Sequence, residues 1–206
     1  MNSRISPLHL ALLLATFLVF AWSGWHPYDR LTWWLETAPG IVGVILLIAT
    51  YSRFRFTTLV YSLIALHIML LSIGGHYTYA RVPFFTWLEP LFGWHRNQFD
   101  RLGHFAQGFV PALIARELFI RLRVVTSSGW RFSIFVLICM GISALYELLE
   151  WASAVIGGSA ADSFLGTQGD VWDTQKDMCM ALIGAVCALL LMSFWQDLQM
   201  RNVPRG

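Results

Sequence analysis

The chain contains 206 residues, of which 57% are hydrophobic and 13% are charged, and its mean hydropathy is +0.59. Soluble domains carry about 25% charged residues, so this low charged fraction, together with many Trp and Phe residues, indicates a membrane protein. The formal net charge of +2 and the lack of a basic stripe argue against a nucleic-acid partner. The three cysteines lie in apolar runs, and their odd number argues against a disulfide framework or a zinc ribbon.

Six apolar segments are each close to the ~20 residues that a bilayer core requires, and they predict an all-α, polytopic bundle of about six transmembrane helices. In chain order these spans cover residues 7–24, 36–52, 57–75, 104–122, 131–150 and 175–195. The first lacks a small-x-small cleavage site, so it is interpreted as a span and not as a signal peptide. Glu36 and Pro39 make the start of the second span the least defined. No repeat or linker divides the chain, so we predict one membrane domain over residues 1–206.

The segment 76–103, between spans three and four, is too aromatic for a solvated loop. Its composition predicts a segment that lies in the membrane interface and bends at Pro83 and Pro90. Its large apolar residues are Phe84, Phe85, Trp87, Leu88, Leu91, Phe92 and Trp94.

Arginine placement predicts the orientation, because cytoplasmic loops of membrane proteins carry an excess of basic residues. One end of the spans, here called the basic end, carries Arg4, Arg53, Arg55, Arg116, Arg121, Arg123, Arg131, Arg201 and Arg205. The other end carries Arg30, Arg81, Arg96, Arg101 and Lys176. The basic end and both termini are therefore predicted to be cytoplasmic, and loops 76–103 and 151–174 to face the periplasm of a bacterial inner membrane.

The segment GTQGDVWDTQKDM places three aspartates at the start of the last span. Asp170, Asp173 and Asp177 are three and four residues apart, so on a helix they share one face. The same face continues with small residues, which mark the side of a membrane helix that packs against other helices. These small residues are Ala181, Gly184 and Ala188. The aspartates are therefore predicted to point into the bundle and not at lipid.

Spans four and five also have a polar end. In FDRLGHFAQGF, Asp100 and His104 are four residues apart, on a face that continues with small residues. Those small residues are Gly108, Ala112 and Ala115. In SALYELLEW, Glu147 and Glu150 are three residues apart at the end of span five, where acidic groups oppose the helix dipole. Helix capping therefore does not explain the two glutamates.

Helices that alternate in direction bring these polar ends to one membrane surface, here called the acidic end. The acids begin spans four and six and close span five, and His76 closes span three. We therefore predict a single polar site there. Its candidate members are His76, Asp100, His104, Glu147, Glu150, Asp170, Asp173 and Asp177.

Carboxylates this close together require either that some of them are protonated, with raised pKa values, or that cations lie among them. Two interpretations of the cluster follow. In the first, the acids form a structural polar network with Lys176, Arg101 and the backbone. In the second, they hold a divalent cation, and carboxylates with one or two histidines suit Mn, Fe, Zn or Ca. The metal ligands would be drawn from His76, Asp100, His104, Glu147, Glu150, Asp173 and Asp177. Asp177 lies a turn inside its span, where a carboxylate costs about 2.5–3.5 kcal/mol and is by default a functional candidate.

Two function classes follow from such a site. In the first, the protein is an enzyme on a lipid or an envelope precursor, with a metal that activates water and with His104, Glu147 and Asp173 as catalytic groups. Gln168, Gln175 and Lys176 would then hold the polar head group of the substrate. In the second, it binds or transports a cation or a cationic ligand without covalent chemistry. Polarity at one end only argues against alternating access, and membrane lipids are expected partners in both classes.

Three polar positions elsewhere have simpler interpretations. Arg116 and Glu117, near the basic end of span four, are expected to snorkel and to pair at the membrane surface. His67 lies in the middle of span three, where it is either a relay residue or bonded to a backbone carbonyl.

The motifs FDRLGHFAQGF, SALYELLEW and FLGTQGDVWDTQKDM together resemble the YjdF family of bacterial inner-membrane proteins of unknown function, over the whole chain. A weaker resemblance, to VanZ-like membrane proteins, rests on D-x3-H, a later helix with a glutamate and an acidic start to the last helix. It implies a small multi-pass bundle, and some members are linked to glycopeptide-antibiotic resistance. By matching motif position, the key polar set would be Asp100, His104, Glu147 and either Asp173 or Asp177. Glu150 and the long GTQGDVWDTQ segment depart from the VanZ-like pattern.

Overall fold

The computed structural model describes residues 5–158 and 162–203, and every regular element in these ranges is an α-helix. The all-α bundle predicted from the sequence is confirmed. In chain order the helices are α1 (Pro7–Ser23), α2 (Arg30–Thr50), α3 (Thr58–Tyr77), α4 (Pro83–Phe92), α5 (Phe99–Arg121), α6 (Ser128–Gly157), α7 (Asp162–Leu165) and α8 (Asp173–Met200). Arg4 and Arg205, which entered the count of basic residues, lie outside the described residues.

Four helices, α2, α3, α6 and α8, are long and apolar enough to cross a membrane. Helix α1 is apolar but has only 17 residues, at the lower limit for a span. Helix α5 has 23 residues but carries charged side chains near both of its ends, which lowers its hydropathy. All six helices lie where the sequence predicts a span, and together they form a membrane helix bundle.

Several predicted boundaries differ from the observed ones, and the differences matter for the acidic end. Helix α2 begins at Arg30, six residues before the predicted start at residue 36, because the Asp29 side chain accepts a hydrogen bond from Thr32 N at 2.7 Å and caps the helix. Glu36 therefore lies inside the helix. Helix α5 begins at Phe99 and not at residue 104, and α6 continues to Gly157.

The aromatic segment before α5 contains the short helix α4, which begins at Pro83 and includes Pro90. Proline is favoured in the first helical turn, where its missing N–H leaves no intrahelical bond unmade. Phe84, Trp87 and Leu91 are all exposed on this helix. An exposed aromatic and apolar surface of this kind is typical of a helix at the membrane interface.

Helices α5 and α8 form the central pair of the bundle, and they meet through the small residues identified in the sequence. A Cβ atom on Gly108 would collide with the backbone carbonyl of Ala181, and one on Gly184 would collide with that of Phe105. Backbones that approach this closely require glycine on both sides. Ala112, Ala115, Ala181 and Ala188 are also buried, so the predicted packing faces are confirmed.

Candidate functional site

The segment that precedes α5 is held in place by Asn97, whose side chain is fully buried. Its amide donates to the Val82 carbonyl at 3.1 Å and to the Thr86 hydroxyl at 3.0 Å. Gln168, in the loop before α8, accepts from Asn97 N at 2.9 Å and donates to Asn97 O at 3.2 Å. This reciprocal pair fastens the two loops of the acidic end together. Gln168, predicted to bind substrate, thus has a structural contact in this protein.

Two arginines cross-link the starts of α5 and α8. Arg96 contacts Asp173 and lies 3.1 Å from Asp100. Arg101 lies 3.0 Å from Asp170, Asp173 and Asp177. Burial opposes the charge on Arg96, but the hydrogen bond and the negative charge of Asp173 outweigh it, so the pKa of Arg96 is raised. The aspartates therefore lie in an ion network, in which Arg96 is a member that the sequence analysis did not identify.

Asp170 is the most accessible carboxylate of this network. The Lys176 ammonium donates to its Oδ2 at 2.6 Å, and Trp172 N donates to its Oδ1 at 3.1 Å. The hydrogen bond from Lys176, followed by that from Trp172, lowers the pKa of the Asp170 carboxyl from 3.8 to about 2. Because the folded-state pKa is the lower one, Asp170 stabilises the fold above about pH 4, and this contribution is lost as the pH falls toward 2.

We expect Lys176→Gln to raise the pKa of Asp170, because the amide cannot replace the charged donor that holds the carboxylate ionised. Carboxyl-selective carbon NMR, followed through an acid titration in detergent, measures that pKa directly. Gln175→Ala is the control, since Gln175 is exposed next to Lys176 and should leave the titration midpoint unchanged. Equal Asp170 titration midpoints in Lys176→Gln and the wild type would show that the Lys176 ammonium does not lower the pKa of Asp170.

His104 lies one turn inside α5 and is buried against three carboxylates. Its Nδ1 atom is 3.0 Å from Gln107 Oε1, and its Nε2 atom faces the acids. The Nε2 atom lies 3.5 Å from Asp100 Oδ1 and 3.8 Å from Glu147 Oε1. One ligand atom each from Asp100, His104 and Asp177 lie within 4.8 Å of one another. These three groups form the most compact cluster of potential metal ligands among the described residues.

Glu147 extends this cluster from α6. Its side chain is 7% exposed, and its Oε1 atom has no hydrogen-bond partner. The carboxyl also lies close to the Thr174 side chain at the start of α8. Glu150, one turn further along α6, is partly exposed. A buried carboxylate oxygen without a hydrogen-bond donor is costly, and the ion-pair partner that the described residues offer to Glu147 Oε1 is His104 Nε2, 3.8 Å away.

A second polar group lies next to the cluster and includes Glu36 of α2, a helix that the sequence analysis did not connect with it. The Tyr146 hydroxyl donates to Glu36 Oε2 at 2.9 Å, and the Tyr79 hydroxyl also interacts with Glu36. The Tyr79 ring lies so close to Gly74 and Gly103 that a Cβ on either would clash with it. Burial, and next the Glu36 carboxylate, raise the pKa of Tyr79 well above its usual value, so its phenol remains a donor.

The structure brings together most but not all of the predicted site residues. Asp100, His104, Glu147, Asp173 and Asp177 lie within one cluster. His76 contacts α1: its Nδ1 atom is 2.9 Å from the Ser23 carbonyl oxygen, and its ring packs against Trp22. Gln175 and Lys176 are exposed at the rim.

The fold and the site define a multi-pass membrane helix bundle with a buried carboxylate–histidine cluster at one end. The family model described as "Predicted membrane protein (DUF2238)" matches residues 8–198, so the chain belongs to this family. The chain is 44% identical over 207 residues to "Inner membrane protein YjdF" of Escherichia coli (strain K12), covering 98% of this chain and 97% of that protein. The YjdF resemblance inferred from the motifs is therefore confirmed. No solved structure matches the chain.

Proposed function

We propose that Asp100, His104 and Asp177 bind a divalent metal ion, with Glu147 as a fourth ligand. The observation that carries this proposal is that Asp100, His104 and Asp177 each place one potential ligand atom within 4.8 Å of the others. The buried Oε1 of Glu147, which has no hydrogen-bond donor, lies 3.8 Å from His104 Nε2. A set of three carboxylates and one imidazole suits Mn, Fe or Zn. The contact between Nδ1 and Gln107 Oε1 supports the proposal, because a proton on Nδ1 would leave the Nε2 lone pair available to a metal.

The balance of charge also favours a cation. Five carboxylates belong to the cluster and its ion network: Asp100, Glu147, Asp170, Asp173 and Asp177. Three side chains with a permanent charge pair with them, Arg96, Arg101 and Lys176. With all five carboxylates ionised and His104 neutral, two negative charges remain, which a divalent ion would neutralise.

A metal in this position would lower the pKa of a bound water and supply a hydroxide for hydrolysis at neutral pH. The oxygen of Glu147 that does not bind the metal would be the proton acceptor, because Asp173 is already paired with two arginines. Lys176 and Gln175 at the exposed rim would meet a polar head group. We therefore assign the site to metal-dependent hydrolysis or transfer on a lipid or an envelope precursor.

We further propose that the protein resides in a bacterial inner membrane with its acidic end in the periplasm. The name of the Escherichia coli relative supports the membrane, and the excess of arginine at the basic end supports the orientation. Both termini would then be cytoplasmic. A reporter fused to the C-terminus tests this directly, and periplasmic activity of that reporter would reverse the orientation.

A purely structural ion network is the second candidate, and one observation favours it. Arg96 and Arg101 already contact four aspartates: Asp100 of α5, Asp170 in the loop before α8, and Asp173 and Asp177 of α8. Much of the acidic charge is therefore compensated without a metal. In that case the cluster would stabilise the α5–α8 pair and would bind no ion.

Metal analysis of protein purified in mild detergent without chelator distinguishes the two candidates. We expect about one equivalent of Mn, Fe or Zn in the wild type, and at least about tenfold less in His104→Ala and Glu147→Gln, because each removes a ligand. Asp197→Asn is the control, since Asp197 is 48% exposed and pairs with Arg116 at the other end of the bundle. No metal in folded wild-type protein, after incubation with each of these ions, would leave the structural network as the function of the cluster.

A further inference from the structure

A cavity of about 300 Å³ lies between α1, α2 and α3, in the half of the bundle near the basic end. Its walls are apolar and include Leu13 and Thr16 of α1, Leu47 of α2, and Ile64 and Ala65 of α3. Helices α1 and α2 are joined near the acidic end, where Trp33 Nε1 donates a hydrogen bond to Ser23 Oγ at 3.0 Å. The volume is at the lower end of the range for ligand pockets.

The cavity opens sideways, toward the surface that faces lipid. Leu10, Leu13 and Ile48 all line it and are exposed by 55%, 39% and 61%. In a membrane these side chains contact the hydrocarbon of the bilayer, so the medium outside the opening is acyl chains and not water. An acyl chain can therefore enter the cavity without leaving an apolar environment.

Polar and basic groups surround the end of the cavity that lies nearest the membrane surface. His9 and Tyr51 line this end, and the His9 Nδ1 atom is 3.0 Å from the Tyr51 hydroxyl. The Arg55 guanidinium lies over the Tyr51 ring, 4.7 Å from its centroid, and Arg53 is exposed two residues earlier. Neither arginine forms an ion pair with a residue that the structure describes.

We propose that this cavity is a binding site for an anionic phospholipid of the leaflet at the basic end. One acyl chain lies between α1, α2 and α3, and the phosphate is bound by Arg53 and Arg55 above the Tyr51 ring. Arg53 and Arg55, which form no ion pair with the described part of the chain, determine the choice of an anionic lipid, because basic residues near a membrane surface attract anionic head groups. The site is independent of the metal proposed at the acidic end.

Native mass spectrometry in mild detergent tests the proposal with dioleoyl phosphatidylglycerol and dioleoyl phosphatidylcholine, which share their acyl chains. We expect one retained phosphatidylglycerol and weaker retention of phosphatidylcholine. The double variant Arg53→Gln/Arg55→Gln should bind phosphatidylglycerol roughly tenfold or more weakly, since each arginine near a surface contributes about a fivefold factor. The control is Arg123→Gln/Arg201→Gln, which removes two exposed arginines at the same end and should change nothing.

A second pair of variants tests occupation of the cavity itself. Leu13→Trp fills the cavity from α1, whereas Leu14→Trp adds the same group at a 56% exposed position that does not line it. Retention should fall only in Leu13→Trp, and thermal unfolding in detergent without lipid verifies that both variants fold. Equal retention of the two lipids, or equal behaviour of the two tryptophan variants, would overturn the proposal in favour of non-specific annular lipid.

Discussion

Gly108→Ala is expected to destabilise the bundle by about 3 kcal/mol or more, because the new methyl group has no space between α5 and α8. The Cβ would overlap the backbone carbonyl of Ala181, and a backbone group cannot rotate away as a side chain can. The two helices would have to separate. Thermal unfolding in mild detergent measures the loss as a lower midpoint.

Gly141→Ala in α6 is the matched control, because nothing lies within 4 Å of a Cβ at that position. Alanine is favoured over glycine in a helix interior by about 0.5–1 kcal/mol, so this variant should be unchanged or slightly stabilised. Gly184→Ala, on the opposite face of the same contact, should resemble Gly108→Ala, since its Cβ would overlap the Phe105 carbonyl. Gly108→Ala and Gly141→Ala with equal unfolding midpoints would contradict the close backbone contact.

Separation of α5 from α8 should also affect the acidic end. Asp100 and His104 are on α5, whereas Asp173 and Asp177 are on α8, and Arg101 connects the two helices. The distances among the proposed ligands therefore depend on contacts only about one to two turns away. We expect Gly108→Ala to lose metal at a lower temperature than Gly141→Ala does.

The polar stripes on α5 and α8 could be predicted from the sequence because helical periodicity alone determines them. Asp100 and His104 are one turn apart, and so are Asp173 and Asp177, and each pair continues into a face of small residues. Alternating helix direction then brings the ends of α5, α6 and α8 to one surface. These arguments need only local geometry and topology, and the structure bears out the resulting packing faces.

The residues that the sequence analysis missed depend on tertiary contacts. Arg96 is in a loop, and its contact with Asp173 depends on the loop before α8, which the Asn97–Gln168 pair joins to the segment before α5. Its pairing with Asp100, four residues later, is local. Glu36 was placed at a span boundary because Asp29 was not recognised as the capping residue of α2, so the position of Glu36 inside that helix was not anticipated. A search for Asx caps before apolar runs would have moved the start of α2 to Arg30.

The environments of His67 and Glu117, which lie within spans, also depend on tertiary contacts that the sequence does not reveal. His67 Nε2 is buried without a hydrogen-bond partner, and its position in the sequence did not distinguish this from a bond to a backbone carbonyl. Glu117 was expected to pair at the membrane surface, but its side chain is fully buried. Glu117 is buried because the first residues of α3 pack against it, and no pattern within α5 predicts this contact.

Glu117→Ala is expected to have the largest effect of any single substitution at the basic end, about 3–5 kcal/mol of lost stability. Glu117 Oε1 accepts from Thr57 N at 2.8 Å and from Arg121 at 2.7 Å, and Oε2 accepts from the Thr57 hydroxyl at 2.7 Å. Gln196 Nε2 lies 3.5 Å from the same carboxylate. One side chain of α5 therefore holds the start of α3 and the end of α8, and alanine would leave the buried donors of Thr57 without an acceptor.

Thermal unfolding of three variants separates this network from an ordinary surface ion pair. Glu117→Gln keeps the shape and one acceptor oxygen, so it should fall between the wild type and Glu117→Ala. Asp197→Asn breaks only the half-exposed pair with Arg116, 2.8 Å apart, and should cost no more than about 1 kcal/mol. If Glu117→Ala unfolds at the same temperature as Asp197→Asn, the buried carboxylate does not hold α3 and α8 to α5. If Glu117→Ala is the least stable of the three variants but still binds metal when folded at low temperature, the polar clusters at the two ends of α5 act independently. The Glu117 cluster then stabilises the bundle, and the cluster around His104 is free to bind metal.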